Sequence, residues 1–172
     1  MIKLIQTLIS GLSLGSIYAL IALGYTMVYG IAKMLNFAHG DIIMIGAYAG
    51  IVTVTQLGLP PVIAIVLSVA VCALLGMTIE HFAYKPLRQA PALSVLITAI
   101  GVSYLLQNLA LLIFGSQQKA YPTLVTLPEL RLGAVTVSGI TLLTLATTAL
   151  IMVGLTLFIN KTKLGKAMRA VS

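Results

Sequence analysis

The sequence predicts an all-α integral membrane protein, a polytopic helical bundle with about five transmembrane helices. Of the 172 residues, 60% are hydrophobic and only 8% are charged, whereas a soluble domain carries roughly a quarter charged residues. The apolar residues form runs of the length that a helix needs to cross a bilayer core about 30 Å thick. These runs lack the short alternating pattern of membrane-barrel strands, so helices are favoured over strands.

Five apolar runs predict the helices in chain order, at residues 4–31, 41–56, 61–84, 92–115 and 139–160. The first run is longer than one crossing needs, so we expect it to tilt or break, and the second is short for a full crossing. The longest polar connection, residues 116–138, is expected to be an exposed loop with a role or a short structure of its own. We treat residues 1–172 as a single transmembrane domain.

The net charge is +7, and the basic residues responsible for it lie between the apolar runs. Basic residues in such positions set the orientation of a membrane protein, so we do not interpret them as a nucleic-acid site. The sequence has no aromatic and basic clusters of the nucleic-acid kind. Its low content of charged residues predicts that its surroundings are a lipid bilayer. With the N-terminus outside, seven basic residues lie inside and three outside. The positive-inside rule therefore predicts an outside N-terminus and an inside C-terminus. The inside residues are Lys33, Lys85, Arg88, Lys161, Lys163, Lys166 and Arg169.

Small residues at helical spacing predict helix packing. Pairs of glycines four residues apart let a second helix backbone approach closely, and the packing glycines we expect are Gly11, Gly15, Gly46, Gly50 and Gly101. The face of the first run that carries Gly11 and Gly15 also carries Tyr25 and Tyr29. Hydroxyl groups inside a membrane need partners, so these two tyrosines are candidates to face a solute.

Residues 34–48, MLNFAHGDIIMIGAY, hold the strongest candidates for a functional site. They place Asn36, His39 and Asp41 in an apolar region, and a carboxylate at the bilayer centre costs about 2.5–3.5 kcal/mol. In one continuous helix His39 and Asp41 would lie about 200° apart. They would serve one cavity only if Gly40 broke the helix and exposed a positive helix end, as in transporters. Alternatively, Asp41 is the N-cap of the second helix, and His39 lies in the preceding turn.

The other polar residues of the apolar runs are better explained by structural roles than by a functional site. Glu80 and His81 are expected at a solvated helix end beside basic residues. Gln107 and Asn108 are expected to form hydrogen bonds between helices.

The sequence gives no sign of an enzyme. It has no GxxxxGK[ST] phosphate loop, and its two histidines lack nearby cysteines for a metal site. The letters GLSLG at residues 11–15 match GxSxG, but inside an apolar run without a strand before them. We therefore predict no catalytic residue, metal or cofactor in this chain.

Four segments, in order, resemble permeases of the LivH type, the membrane subunits of ABC importers for branched-chain amino acids. They are GLSLGSIYALIALGYTMVYGIAKMLNFAHGDIIMIGAY (11–48), IEHFAYKPLR (79–88), LITAIGVSYLLQN (96–108) and KLGKAMRAVS (163–172). The first is long and specific, and together the four extend over nearly the whole chain. The resemblance implies an inner-membrane permease subunit whose partners are two cytoplasmic ATPases, a second related permease and a periplasmic substrate-binding protein.

We expect Asn36, His39 and Asp41, with Tyr25 and Tyr29 as weaker candidates, to line or gate the solute path. Gly165 and Arg169 lie where such permeases begin a cytoplasmic coupling segment. In the family that segment leads into a coupling helix and further spans, so we expect this sequence to be the N-terminal part of such a permease.

Alternatives remain open at this point. Urea and short-chain amide importers have similar permeases, including an NFAHG-like run. A secondary transporter or channel working without ATPases would also lack a phosphate loop. The third alternative is a non-transporting scaffold or a decayed gene fragment.

Overall fold

The computed structural model describes residues 2–32, 34–122, 128–132, 135–163 and 165. Its described part contains five α-helices, which confirms the predicted fold class. They are α1 (Ile2–Ala32), α2 (His39–Thr55), α3 (Pro61–Ile79), α4 (Ala92–Phe114) and α5 (Gly139–Lys161). Helix α3 continues into a π-helical turn, Glu80–Tyr84, and a 3-10 turn, Lys85–Leu87.

Four of these helical segments are long and apolar enough to cross a membrane. They are Lys3–Gly30, Pro61–Leu87, Ala92–Phe114 and Gly139–Lys161. The fifth helix, α2, is apolar but has only 17 residues, which is about 26 Å at 1.5 Å per residue. Helix α1 is continuous over 31 residues, so the break considered for the first run is absent from Ile2–Ala32.

Proline and glycine residues set the ends of the helices around α3 and α4. Pro61 is the first residue of α3, where its missing N–H costs nothing, and Pro91 directly precedes α4. Gly58 (φ 61°) and Gly115 (φ 80°) adopt the left-handed backbone that lets the chain turn after α2 and after α4.

The long connection between α4 and α5 has a short structure of its own, as expected. Strands β1 (Leu130–Leu132) and β2 (Val135–Val137) pair antiparallel, with Leu130 opposite Val137 and Leu132 opposite Val135.

The chain forms two compact units. One comprises Met1–Lys33 and Val125–Ser172, and in it α1 packs against α5 and β2. The other, Met34–Leu124, contains α2, α3 and α4. Its core is formed by Ala38, Ile79, Tyr84, Ala99 and Leu106. Large apolar side chains are exposed on α1, α3, α4 and α5, as suits helices that face lipid or other helices.

Candidate functional site

Asn36 shapes the turn that leads into α2. Its side-chain oxygen Oδ1 accepts hydrogen bonds from the backbone N–H of Ala38 at 3.1 Å and from the Tyr84 hydroxyl at 2.8 Å. Its backbone carbonyl accepts from the N–H of His39 at 3.2 Å. Because Tyr84 is buried in the π-helical turn, Asn36 ties the start of α2 to the end of α3.

Asp41 is a buried carboxylate in the first turn of α2, with 8% of its surface exposed. Its two oxygens accept hydrogen bonds from α4, Oδ2 from the Ser103 hydroxyl at 2.5 Å and Oδ1 from the Gln107 amide at 3.0 Å. The Gln107 amide also lies 3.1 Å from Ser103 Oγ. The positive end of the α2 dipole favours a negative charge at this position. Asp41 therefore joins α2 to α4 through charge-assisted hydrogen bonds.

The structure corrects both sequence interpretations of this segment. Gly40 does not break a helix, because it is the second residue of α2, and the helix begins at His39. Asp41 is not the N-cap either, since Ala38 holds that position without a side-chain capping bond. The irregular backbone instead lies before α2, where Asn36 supplies the local bonds that the helix start needs. His39 is half-buried in the first turn.

A second face of α2 lies against α3 through two glycines. Gly46 and Gly50 are buried, and a Cβ at Gly46 would collide with Cys72 Sγ. A Cβ at Gly50 would lie 2.5 Å from the Tyr121 hydroxyl and 3.1 Å from Ser68 Oγ. The Cys72 thiol donates to the backbone carbonyl of Ile42 at 3.4 Å. Helices α2 and α3 thus approach closely along this face.

Near the middle of α2, an aromatic contact joins it to α4. The rings of Tyr48 and Phe114 stack with centroids 4.1 Å apart and planes 3° from parallel. The Lys119 Nζ lies 5.5 Å from the centroid of the Phe114 ring, within cation–π distance.

Tyr25 and Tyr29 belong to α1 in the other compact unit; Tyr25 is half-buried and Tyr29 exposed. A Cβ at Gly11, Gly15 or Gly101 would meet nothing within 4 Å, so their packing role stays a prediction. The N–H of Gly165 donates to Thr162 Oγ1 at 3.0 Å, and Arg169 lies outside the described residues.

Sequence reasoning missed Ser103 and Tyr84 as partners of the site. The signal for Ser103 was its spacing from Gln107, since polar residues four apart share a face of a helix. Gln107 forms the interhelical bond that was predicted, whereas Asn108 donates to the Tyr104 carbonyl within α4. Glu80 pairs with Arg88 at 2.6 Å in an exposed position, as expected of a solvated helix end.

The described residues contain no group of three His, Cys, Asp or Glu side chains placed to hold a metal ion. The described hydrogen bonds of the Asp41 carboxylate are with two neutral side chains, Ser103 and Gln107. Such a network can join helices, and it can also exchange its partners for water or a polar solute.

Comparison with known proteins finds one family over almost the whole chain. The model of the permease component of branched-chain amino acid transport systems matches residues 7–172. BraD of Pseudomonas aeruginosa, a high-affinity branched-chain amino acid transport system permease protein, is 45% identical over 96% of this chain and 58% of its own length. LivH of Escherichia coli K12, with the same description, is 36% identical over the same shares.

A more distant relative is a probable branched-chain amino acid transport permease protein, LivH of Methanocaldococcus jannaschii, which is 27% identical over 90% of this chain and 50% of its own length. The chain therefore spans between half and three-fifths of the length of these relatives. No solved structure matches it. All three names describe permeases and none describes an enzyme, in keeping with the prediction of a transporter subunit.

Proposed function

Because the chain belongs to the family of permease components of branched-chain amino acid transport systems, we propose that it is a membrane-spanning subunit of an ATP-driven importer of branched-chain amino acids. The observation that carries the proposal is the family match over residues 7–172. The helices of this multi-pass membrane protein support it, since four segments of the described chain are suited to span a bilayer.

The polar start of α2 is the part of the chain best suited to a solute path. It combines irregular backbone before His39 with a buried carboxylate at Asp41. Irregular backbone and ionisable groups at membrane depth are tolerated where they are buried in protein or line a watery path. We assign Asn36, His39 and Asp41 to lining or gating this path, with Tyr25 and Tyr29 as weaker candidates for the same role.

The proposal includes partners that this chain does not contain. A chain without a phosphate loop needs separate subunits to hydrolyse ATP. We propose two cytoplasmic ATPases, a second related permease, a periplasmic substrate-binding protein and a location in the inner membrane. Residues 163–172 would begin the segment that contacts an ATPase, and no cofactor is expected in this subunit.

Uptake by cells tests this function. A strain that lacks the protein is compared with the same strain expressing it again, using radiolabelled leucine, isoleucine and valine. We expect uptake to depend on the protein and to be competed by the other two amino acids but not by excess urea or acetamide. Protein-dependent uptake of radiolabelled urea or acetamide, with no protein-dependent uptake of the amino acids, would favour the amide importer instead.

A further inference from the structure

The side-chain amide of Asn36 is held in one orientation. Its oxygen Oδ1 accepts a hydrogen bond from the backbone N–H of Ala38 at 3.1 Å and another from the Tyr84 hydroxyl at 2.8 Å. Because a backbone N–H can only donate, the amide atom that faces Ala38 must be the oxygen and not the nitrogen. The amide nitrogen Nδ2, with its two N–H groups, is therefore on the other branch of the side chain.

The π-helical turn after α3 brings Tyr84 to Asn36. Ile79 and Tyr84 are buried in the same core, although residues five apart in an α-helix lie about 140° from one another. In the π-helical turn the backbone N–H of Lys85 bonds to the carbonyl of Glu80, five residues earlier, so residues at this spacing lie on one side of the helix. The turn thus directs the Tyr84 ring into the core, and π-helical turns are frequent at functional sites.

The donors on Asn36 Nδ2 form no hydrogen bond with the part of the chain that the structure describes, where both bonds of this side chain are made by Oδ1. The residue is half-buried. Inside a membrane protein a donor needs an acceptor, because an unpaired polar group in apolar surroundings costs free energy. In a solute path that acceptor is water or an oxygen atom of the solute.

The surroundings of these donors favour a negatively charged acceptor. Asn36 lies three residues before His39, where α2 begins, and the N-terminal end of a helix carries a partial positive charge. The carboxylate of Asp41 is directed to α4, where Ser103 and Gln107 donate to its two oxygens. In a branched-chain amino acid, the group that accepts hydrogen bonds and carries a negative charge is the α-carboxylate.

We propose that Asn36 donates hydrogen bonds from Nδ2 to the carboxylate of the transported amino acid, and that Tyr84 is the positioning residue that holds the amide in this orientation. This inference rests on the proposed function, which supplies the amino acid. Asn36 then has two separate tasks, since Oδ1 organises the turn before α2 and Nδ2 contacts the solute. Tyr84 does not contact the solute and acts through Asn36.

Two substitutions at Asn36 separate these tasks. Asn36→Asp keeps an oxygen for Ala38 and Tyr84 but replaces the N–H donors with a second, negatively charged oxygen, whereas Asn36→Ala removes every polar group. We expect Asn36→Asp to unfold at a higher temperature than Asn36→Ala, because it retains the turn. We nevertheless expect it to import leucine more slowly than Asn36→Ala, about tenfold or more below the unmodified protein, because its charge repels a carboxylate. Uptake that follows the order of stability would mean that Asn36 is structural only, and would overturn the proposal.

Gln89→Glu is the matched control for Asn36→Asp. It makes the same change from amide to carboxylate at an exposed position, so we expect uptake equal to that of the unmodified protein. Loss of uptake in Gln89→Glu as large as in Asn36→Asp would attribute the effect to added charge alone, and would contradict the proposal.

Tyr84→Phe tests the positioning role. It leaves the donors of Asn36 in place but removes one of the two bonds that orient them, so we expect uptake to fall about two- to fivefold per molecule in the membrane. Tyr104→Phe is the matched control, because it removes a hydroxyl from an exposed side chain of α4, and it should not change uptake. Equal uptake by the two variants would contradict the positioning role.

Ligand binding gives a readout that does not depend on uptake. The protein is purified with its associated subunits but without a binding protein, and its thermal unfolding is followed with millimolar leucine, with leucinamide, which lacks the carboxylate, or with neither. We expect leucine to raise the unfolding temperature by about a degree or more, and leucinamide to have no such effect. The shift should be lost in Asn36→Asp, reduced in Tyr84→Phe and retained in Tyr104→Phe.

No shift with leucine, or an equal shift with leucinamide, would overturn the proposal. If the unmodified protein imports no branched-chain amino acid into cells, the proposed function fails. The shift still decides in that case whether Asn36 binds a carboxylate.

Discussion

Among single residues, Asp41 is the one whose surroundings say most about its function. Its carboxylate is buried, and its described partners Ser103 and Gln107 are neutral. The free-energy cost of placing a carboxylate in a membrane singled out Asp41 from the sequence. Its partners could not be predicted in the same way, because they depend on which helices become neighbours. Tyr84 shows the same limit, since it lies 48 residues from Asn36.

Replacing Asp41 with asparagine tests the role of this charge. We expect Asp41→Asn to lower amino acid uptake about tenfold or more while the protein still inserts into the membrane, because charge-dependent binding or gating is lost. The stability loss should be modest, about 1–2 kcal/mol, since an amide replaces only part of the hydrogen bonding. The measurement is uptake normalised to the amount of protein in the membrane.

Glu80→Gln is the matched control for Asp41→Asn. Glu80 is also an acid, but its ion pair with Arg88 is exposed, and exposed pairs contribute about 0–1 kcal/mol. We expect uptake close to that of the unmodified protein. Normal uptake by Asp41→Asn would show that Asp41 has no part in the path.

The bond between Tyr84 and Asn36 is tested by removing one hydroxyl. Tyr84→Phe keeps the ring in the core and should lower stability by about 1 kcal/mol, because Asn36 Oδ1 loses one of its two donors. Asn36→Ala removes both bonds and should cost more. If the bond is real, adding Tyr84→Phe to Asn36→Ala will cause little further loss; additive losses in thermal unfolding would contradict it.

At the scale of elements, α2 shows what helical periodicity can and cannot predict. Its range of 39–55 lies close to the predicted 41–56, because the apolar run defines a helix well. Both alternatives for its start were wrong, since Gly40 does not break the helix and Asp41 is not its N-cap. Gly40 fits within the helix, and the side chain and carbonyl of Asn36 make the preceding turn. Within the helix, Asp41 faces α4 while Gly46 and Gly50 face α3.

The close approach of α2 and α3 predicts which glycines tolerate a side chain. Gly46→Val should destabilise the protein by about 1–3 kcal/mol, because a branched side chain would overpack the contact with Cys72. Gly40→Ala is the control, since a Cβ there meets nothing within 4 Å. This change should be neutral or stabilising by up to about 1 kcal/mol. Equal thermal stability of the two variants in detergent would argue against the glycine contact.

At the scale of the whole molecule, composition predicted the fold class and hydropathy predicted the order of the five helices. Both predictions depend on the length and apolar character of each run, which can be determined without knowing any tertiary contact. The π-helical turn after α3 and the strands between α4 and α5 were not predicted in detail. They occur where the apolar pattern ends and local backbone hydrogen bonds determine the conformation.

The orientation remains a prediction from charge, and cysteine labelling of intact cells tests it. In a Cys72→Ser background, single cysteines replace Gln118, in the connection after α4, and Gln89, in the connection before α4; both positions are exposed. We expect a membrane-impermeant maleimide to label position 118 directly and position 89 only after permeabilisation, because basic loops stay inside. The reverse pattern would place the N-terminus inside.

The source of energy for transport distinguishes an ATP-driven importer from a secondary transporter. The protein, purified together with its associated subunits and its binding protein, is placed in sealed vesicles, and radiolabelled leucine uptake is measured with ATP or with ion gradients. For an ATP-driven importer we predict uptake that requires ATP on the cytoplasmic side and continues when ionophores remove the ion gradients. Uptake that needs no ATP and stops when the proton or sodium gradient is removed would contradict it, and would identify a secondary transporter.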